Sequence, residues 1–578
     1  MLGSSHLSIY WVKPPQASAD PGINLRSPSS ATNKGSLQFA HTNLFLQACT
    51  SVKFSLATIQ RHREDTQEAA MPREQVDKLL HRFYEPLVLL YVLDPTQGDH
   101  VREEASRLSL DITSSKELRR RLVSALAYIC DFEKGGDSFT AIFVTQSPLT
   151  YYLACNKGPR STTLSFLQKT LDHLEKVYDM DEKQRAKARG KILAECVKFS
   201  NKRLKAYWSF LRNVLVRCEE ILKDGPGSKA FSALKQGLIE SSPDLLNLCY
   251  HCYRLLRSPD LNAVRERASL ANAQNTRRNP FAEVKHFVGR LAFHVKMIDV
   301  LIVAAVKLPS LFQDPQVEPV EGPLDQIQAP ALRQKTRLGE IVNRMVRSGN
   351  PEMLAELNAR LAVLDRTFQV EDLVRRTYEE KIIKPRVHAE LILLEHYYQH
   401  RADLELFEND RYIGTSKPAC YCCSLYMYEH PAAFEQSASH QRIYLNWLPP
   451  ATLANAPTSA CLLNSHSQRM LNRMTELIRT RTIEQIRTQS GRRPKNFDST
   501  TGDTFSIHNV VPLQQGQEVP EPQARDYDSS DHDSTPEGDE DELISDVATQ
   551  LEPSSDEKHA DSEEDSDSTG GVELLSIS

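Results

Sequence analysis

Apolar residues recur every three or four positions, almost without interruption, from residue 72 to residue 308. Val76, Leu79, Leu80 and Phe83 illustrate this spacing, which places apolar side chains on one face of a helix. Glycine is scarce, at 22 of 578 residues, whereas soluble proteins usually contain about 7% glycine. This scarcity disfavours turn-dense all-β folds. The pattern therefore predicts a large helical domain over residues 71–308.

The chain changes character twice after residue 308. Five prolines between residues 309 and 330 indicate a linker, assigned to residues 309–335, because proline lacks the amide donor that helices need. From about residue 385, predicted helices (387–398, 420–428 and 466–487) alternate with short predicted strands (411–413 and 442–447). The predicted fold class is α+β: a large all-α N-terminal region followed by a small α/β three-layer domain. That domain is assigned to residues 336–490, with its motif core at 385–450.

Both ends of the chain have the composition of disordered segments. Residues 1–70 are rich in Ser, Asn, Pro and Gly, and residues 491–578 are rich in Ser, Asp, Glu, Pro and Gln, so neither end is expected to fold. From residue 526 onward the chain carries 19 acidic residues and one lysine, which leaves a net charge of +12 on the 525 residues before it. A mildly basic body with an acidic tail is the expected organisation.

The cysteine count and the apolar runs bear on the compartment. Eleven cysteines are dispersed along the chain, which is not the pattern of a disulfide-stapled scaffold and favours a reducing interior. The longest apolar runs have seven residues. A membrane-spanning helix needs about 18 or more consecutive apolar residues. We therefore expect an intracellular protein without a membrane partner, with cytoplasm and nucleus left open.

Three sequence elements carry residues suited to zinc chemistry. They are His388-Ala389-Glu390, then Pro418-Ala419-Cys420, and Cys423 three positions further on. A catalytic zinc takes three protein ligands and keeps one position open, and cysteines three residues apart lie on one helix face. His388, Cys420 and Cys423 are the predicted ligands of one Zn²⁺, although Cys422 allows a competing C-x-C pair. Glu390 is placed to move protons without binding the metal.

This arrangement resembles the H-x-E and P-C-x-x-C signature of zinc-dependent deaminases. The segments VHAELILLEHYY and YIGTSKPACYCC are similar to a fungal branch of the cytidine-deaminase-like superfamily, which is related to bacterial toxin-type deaminases. The resemblance spans roughly residues 370–490, although here Ala419 separates the proline from the first cysteine. It implies a five-stranded sheet flanked by helices, with two strands before His388, where the sequence looks more helical than extended.

The resemblance also implies a reaction and a class of substrate. A zinc-bound hydroxide would attack the amine-bearing carbon of a cytosine- or adenine-type base in a nucleotide or nucleic acid, with Glu390 as proton shuttle. Aromatic side chains near the motif could stack on that base, although most should belong to the core. Trp447, at a strand end, is the strongest candidate among them. The expected substrate contacts are Trp447, Tyr412, Ser416 and Lys417.

Two other functions stay open on the sequence alone. The zinc could stabilise a non-catalytic scaffold whose helical region binds a protein partner, and a fourth ligand from Cys422 or His430 would favour this alternative. A purely structural site, however, has no use for Glu390. Deamination of protein side-chain amides is less consistent with the sequence, because enzymes of that kind use Cys and His without zinc.

Overall fold

The protein is described from a computed structural model. The structure describes residues 73–98, 101, 114–223, 225, 227–269, 279–322, 330, 336–346, 350–380, 382–383, 385–436, 438–450 and 465–488. These residues fall within one compact unit of the chain. The segments predicted to be disordered, 1–70 and 491–578, lie outside the described residues.

Nine helices form the N-terminal part, as the three-to-four spacing predicts for the residues that the structure describes. The longest begins at Asn279, whose side chain accepts a hydrogen bond from the Phe281 amide at 2.9 Å, and Pro280 occupies its first position, where proline is well tolerated. The helices are α1 (Arg73–Leu93), α2 (Ser115–Cys130), α3 (Ser161–Glu175), α4 (Glu182–Phe199), α5 (Asn201–Ile221), α6 (Ser228–Ser241), α7 (Leu245–Leu255), α8 (Asn262–Ser269) and α9 (Pro280–Lys307).

A β-hairpin interrupts this helical part. Strands β1 (Thr140–Gln146) and β2 (Leu149–Cys155) pair antiparallel, with Thr140 opposite Cys155. Their sequences, TAIFVTQ and LTYYLAC, are rich in β-branched and aromatic residues, which favour strands. The prediction of almost continuous helix over residues 72–308 is therefore wrong at the hairpin. The periodicity of an apolar segment of seven residues cannot distinguish a strand from a buried helix.

The hairpin is the centre of a four-stranded sheet assembled from distant segments. β3 (Gln316–Pro319) pairs parallel with β2, and β5 (Gly414–Thr415) pairs antiparallel with β1, which gives the order β3-β2-β1-β5. β3 lies inside the predicted proline-rich linker, so part of that segment is sheet. A separate parallel pair joins β4 (Arg386–Val387) to β6 (Trp447–Leu448).

The C-terminal elements follow the predicted alternation of strand and helix, with shifted ends. The strand predicted at 411–413 is replaced by β5, which begins directly after it at Gly414, and of the strand predicted at 442–447 only the end forms regular pairing, at 447–448. The described residues form four- and two-stranded sheets in place of the expected five-stranded one. The helices are α10 (Leu338–Met345), α11 (Pro351–Phe368), α12 (Val370–Glu379), α13 (Ala389–Gln399), α14 (Tyr421–Glu429) and α15 (Ser465–Thr488).

The two faces of the hairpin belong to two hydrophobic cores. Ala141 and Phe143 pack into the core that contains α1 and helices α10–α15. Ile142 and Val144 pack into the core formed by α2–α9, because successive strand residues point to opposite faces. Helix α13 contacts one face of β1 and helix α2 the other, so the sheet lies between helices. The fold is α+β, as predicted. None of the described helices combines the length and apolarity needed to cross a membrane.

Candidate metal centre and cavity

His388 and Glu390 are delivered by the junction between strand β4 and helix α13. His388 is the N-cap residue of α13, with φ −81° and ψ 150°, and Glu390 lies in the first turn. The side chain of Asn156, just after β2, accepts a hydrogen bond from the Ala389 amide at 2.8 Å and donates one to the Gly136 carbonyl at 2.7 Å. The end of the hairpin therefore braces the start of the motif helix, and both His388 and Glu390 are buried.

Cys420 and Cys423 occupy the start of helix α14. Cys420 is the N-cap residue, and its sulfur accepts a hydrogen bond from the Cys423 amide at 3.4 Å. A helix N-terminus stabilises negative charge, so this position favours a thiolate. Both side chains are buried.

The His388 ring and the two sulfurs have the spacing of a metal centre. His388 Nδ1 lies 3.7 Å from Cys420 Sγ and 3.3 Å from Cys423 Sγ, and the three donor atoms are all within 4.8 Å of one another. Tetrahedral zinc with bonds of about 2.0 Å to nitrogen and about 2.3 Å to sulfur separates such atoms by roughly 3.6 Å. The donor set therefore fits zinc. Cys422 is buried but is not part of this group among the residues that the structure describes.

The two thiols influence each other's ionisation. Burial opposes ionisation of Cys420, but hydrogen bonding with Cys423 and the nearby His388 ring outweigh it and lower the pKa of the Cys420 thiol well below its usual value. Burial raises the pKa of Cys423, and the neighbouring Cys420 thiolate raises it further. Without a cation, only one of the two thiols ionises readily. A metal ion is what allows both thiolates to coexist.

Glu390 has the environment of a proton carrier. Its carboxyl group is buried beside the Cys423 sulfur, and neither oxygen has a hydrogen bond of normal geometry with the described residues. Burial raises the pKa of Glu390, although the nearby His388 ring acts in the opposite direction. A raised pKa makes a carboxylate a better proton acceptor, as a group that carries protons during a reaction requires.

Glu390, His388 and Cys420 line one cavity of about 220 Å³. Asn156 and Tyr444 also line it, and the Tyr444 ring centroid lies 6.4 Å from that of His388. The cavity therefore brings the metal-binding group, a buried carboxyl group and an aromatic ring together. The sequence alone does not distinguish Tyr444 from the other aromatic residues near the motif, and it gives no signal for Asn156, which lies 232 residues before His388.

Three cationic residues line the same cavity: Arg386, Lys417 and Arg442. Two of them share their carboxylate partner with another cation. Asp137 pairs with Arg386, at 2.8 Å, and also with Lys157. Each shared carboxylate cancels only one of two positive charges.

Asp131 is the second shared carboxylate. Its Oδ2 atom lies 3.9 Å from Lys417 Nζ and 3.6 Å from Arg203 Nη2 on helix α5. Asp131 and Arg203 are fully buried, and Lys417 also donates a hydrogen bond to the Gly135 carbonyl at 2.8 Å. Arg203, in the helical part of the chain, thus contacts Asp131, and Asp131 lies beside Lys417 of the cavity. Three cationic side chains therefore line the cavity, and such side chains suit an anionic ligand.

Three of the four expected substrate contacts lie outside the cavity. Trp447 is fully buried, with its Nε1 atom 3.2 Å from Cys423 Sγ. The Tyr412 hydroxyl lies 2.8 Å from Ser124 Oγ, and Ser416 Oγ accepts a hydrogen bond from the Thr140 amide at 3.2 Å. None of these three side chains lines the cavity, whereas Lys417 does.

A second group of potential metal ligands lies behind the first: Glu395, His430 and His466. His430 Nε2 is 3.0 Å from Glu395 Oε1, and the Tyr426 hydroxyl donates to the same oxygen at 2.6 Å. His430 Nδ1 accepts a hydrogen bond from the Ala432 amide at 3.2 Å, so the ring proton is on Nε2 and points to the carboxylate. Hydrogen bonds therefore account for the positions of Glu395 and His430 in this cluster. His430 belongs to it and not to the group of His388.

Comparison with known proteins identifies the same part of the chain. Residues 387–451 match the family model described as OTT_1508_deam-like deaminase. This segment is about a ninth of the chain and contains His388, Glu390, Cys420 and Cys423. No curated protein and no solved structure matches the chain. The chain therefore contains a segment similar to a deaminase domain, and that segment supplies His388, Glu390, Cys420 and Cys423.

Proposed function

We propose that the protein is a zinc-dependent hydrolytic deaminase acting on a cytosine- or adenine-type base in a nucleotide or nucleic acid. The observation that carries the proposal is a His-Cys-Cys donor group, of which His388 and Cys420 line the same cavity as the buried carboxyl group of Glu390. The match of residues 387–451 to a deaminase family supports it independently. Kinship with the fungal, toxin-related branch remains part of the proposal.

Each residue has a distinct task in this reaction. His388, Cys420 and Cys423 would hold one Zn²⁺, which supplies a Lewis acid that activates water. Glu390 takes a proton from that water and delivers it to the departing amine, so that ammonia leaves and a carbonyl remains on the base. Tyr444 offers a ring for stacking on the base, and Arg386, Lys417 and Arg442 suit a phosphate.

The alternative, a zinc-stabilised scaffold, has less support. Structural zinc sites usually have four protein ligands, and neither Cys422 nor His430 joins the group of His388 within the described part of the chain. A protein partner bound by the helical region remains compatible with either function. The nine cysteines that the structure describes are free and buried, which supports the proposed intracellular location.

The first experiment measures zinc and ammonia together. The full chain, Glu390→Gln and Cys420→Ser are purified without added metal, and zinc per chain is measured by elemental analysis. Ammonia release is then followed on bases, nucleosides, nucleotides and oligonucleotides. We expect about one zinc in the wild type and in Glu390→Gln, and loss of zinc in Cys420→Ser. Glu390→Gln should lower the rate about 10²-fold or more, because a positioned proton carrier contributes that much.

Two results would contradict the proposal. One is a wild type that is folded but contains no zinc. The other is a zinc-loaded wild type that releases no more ammonia than Glu390→Gln on every substrate tested. The second result alone would return the scaffold function to first place.

A further inference from the structure

Trp447 makes a direct contact with one of the two sulfurs. Its Nε1 atom lies 3.2 Å from Cys423 Sγ, and the side chain is fully buried. An indole N–H can only donate, so the sulfur is the acceptor. A buried tryptophan needs a partner for this donor, and here the partner is a candidate metal ligand.

The position of the indole is fixed from several sides. Trp447 pairs with Arg386 in the β4–β6 ladder, two residues before His388. The Tyr84 hydroxyl of helix α1 donates a hydrogen bond to the Trp447 carbonyl. The Phe83 ring lies 5.4 Å from the Trp447 ring, and the Tyr426 ring lies 6.1 Å from it, on other sides of the core. The donor is therefore held in place by the fold and not by the sulfur alone.

Each sulfur accepts a hydrogen bond from an N–H group outside the His388 ring. Cys420 Sγ accepts from the Cys423 amide at 3.4 Å, and Cys423 Sγ accepts from Trp447 Nε1 at 3.2 Å. A hydrogen bond to a thiolate stabilises its negative charge and fixes the direction of its lone pairs. In a buried site, a thiolate that lacks such a donor is strongly disfavoured.

We propose that Trp447 is a positioning residue for the metal centre: its indole N–H donates to the Cys423 thiolate and strengthens metal binding. The inference rests on the proposed zinc site, although it does not require deaminase activity. It assigns Trp447 a different task from the base stacking that the sequence suggested. Partners that orient metal ligands typically change metal affinity 10- to 100-fold.

Cobalt is the probe, because Co²⁺ replaces zinc in such sites and its bonds to thiolates absorb in the near ultraviolet. The full chain and Trp447→Phe are stripped of metal and titrated with Co²⁺. Loss of the donor leaves more electron density on sulfur, so the sulfur-to-cobalt absorption should move to longer wavelength. The affinity for Co²⁺ should fall about 10- to 100-fold.

Two further variants separate the hydrogen bond from packing. Phe83→Leu opens space beside the indole but leaves its N–H in place, so it should lower stability without moving the absorption band. A tryptophan analogue at position 447 with sulfur in place of the ring N–H keeps the shape of the indole. It should reproduce the band shift of Trp447→Phe even if that variant folds poorly.

The outcomes distinguish this inference from the proposed function. A band shift in the analogue without any ammonia release would support the role of Trp447 and contradict the deaminase. Normal ammonia release with an unchanged band and unchanged Co²⁺ affinity in the analogue would overturn the role of Trp447 alone. A folded wild type without a sulfur-to-cobalt band would also overturn it, because no metal-bound thiolate would be there to accept the bond.

Discussion

Arg442 tests whether the cavity recognises a phosphate. It lines the cavity, where Arg386 and Lys417 share their carboxylates with other cations. We expect Arg442→Gln to raise KM for a phosphorylated substrate about 10- to 100-fold, because hydrogen bonds between charged groups contribute roughly 1.5–3 kcal/mol. KM for the matching nucleoside should change little. Steady-state kinetics on both substrates make the comparison.

Lys157 provides the control for this experiment. Because it shares Asp137 with the cavity residue Arg386, it controls for a change of charge next to the cavity: its side chain is 64% exposed and it does not line the cavity. Lys157→Gln leaves Asp137 to Arg386 alone, so it should change both KM values by less than Arg442→Gln changes KM for the phosphorylated substrate. If it matches Arg442→Gln, or if Arg442→Gln affects nucleoside and nucleotide equally, the phosphate assignment is wrong.

Individual site residues were predictable from the sequence where the chemistry of the metal restricts which residue types can bind it. Zinc accepts few ligands, and their spacing on two helix starts follows from helix geometry, so the grouping of His388, Cys420 and Cys423 was predictable. Which aromatic ring faces the cavity depends on the path of the chain through the turn that precedes β6. Tyr444 lines the cavity and Trp447 faces a sulfur, and nothing in their local sequence distinguishes them.

Helix α13 carries Glu390 at its start and Glu395 in its second half. The Glu395 carboxylate contacts residues of helices α14 and α15. Glu395 lies 3.0 Å from His430 Nε2 at the end of α14 and 3.4 Å from His466 Nε2 at the start of α15. Burial alone would raise the pKa of Glu395, but the hydrogen bonds from His430, His466 and Tyr426 lower it to about 2. The ionised carboxylate is therefore the form that stabilises the fold.

The pH dependence of stability tests this role. In the unfolded chain a glutamate has a pKa of about 4.3, so the stabilisation by Glu395 is complete above that value and is lost as the pH falls toward 2. Glu395→Gln should lower the free energy of unfolding by on the order of 2–3 kcal/mol at pH 7. The difference from wild type should shrink between about pH 5 and pH 2.

Chemical denaturation at several pH values measures the effect, with Glu484→Gln as the control. The Glu484 side chain is 53% exposed and pairs with Arg481, so its removal should change stability by less than about 1 kcal/mol. A Glu395→Gln difference that stays constant from pH 7 to pH 2 would contradict the assigned role.

Elements were predictable when their signal was local. Helices α13, α14 and α15 have apolar spacing and recognisable starts, and the predicted ends lie within one or two residues of those observed. β5 has only two residues, and its partner β1 lies about 270 residues earlier. The local pattern predicted a strand just before this position, but the distant hairpin edge that supplies the hydrogen bonds determines which residues pair.

The whole molecule interleaves the two predicted parts. The sheet that contacts motif helix α13 takes its hairpin from residues 140–155, and helices α3–α9 lie between that hairpin and the motif in sequence. Arg203 on α5 reaches Asp131, and Asp131 lies beside the cavity residue Lys417. Helix α1 packs against α15 and donates a hydrogen bond to Trp447. The cavity therefore depends on residues far outside 336–490.

This interleaving predicts how fragments behave. A fragment of residues 336–490 contains all three candidate zinc ligands but lacks β1, β2 and α1. Its apolar residues that pack on the hairpin would face water, at a cost of roughly 25 cal/mol per Å², and β5 would have no partner. We expect this fragment to unfold without a cooperative transition and to retain less than one zinc per chain.

A fragment of residues 71–490, which contains every described residue, should unfold cooperatively and hold about one zinc. Circular dichroism during thermal unfolding and elemental analysis compare the two fragments. If residues 336–490 alone unfold cooperatively with one zinc bound, the hairpin and α1 are not required for folding or for metal binding. The metal centre would then belong to a separate C-terminal domain with the boundaries that the sequence suggested.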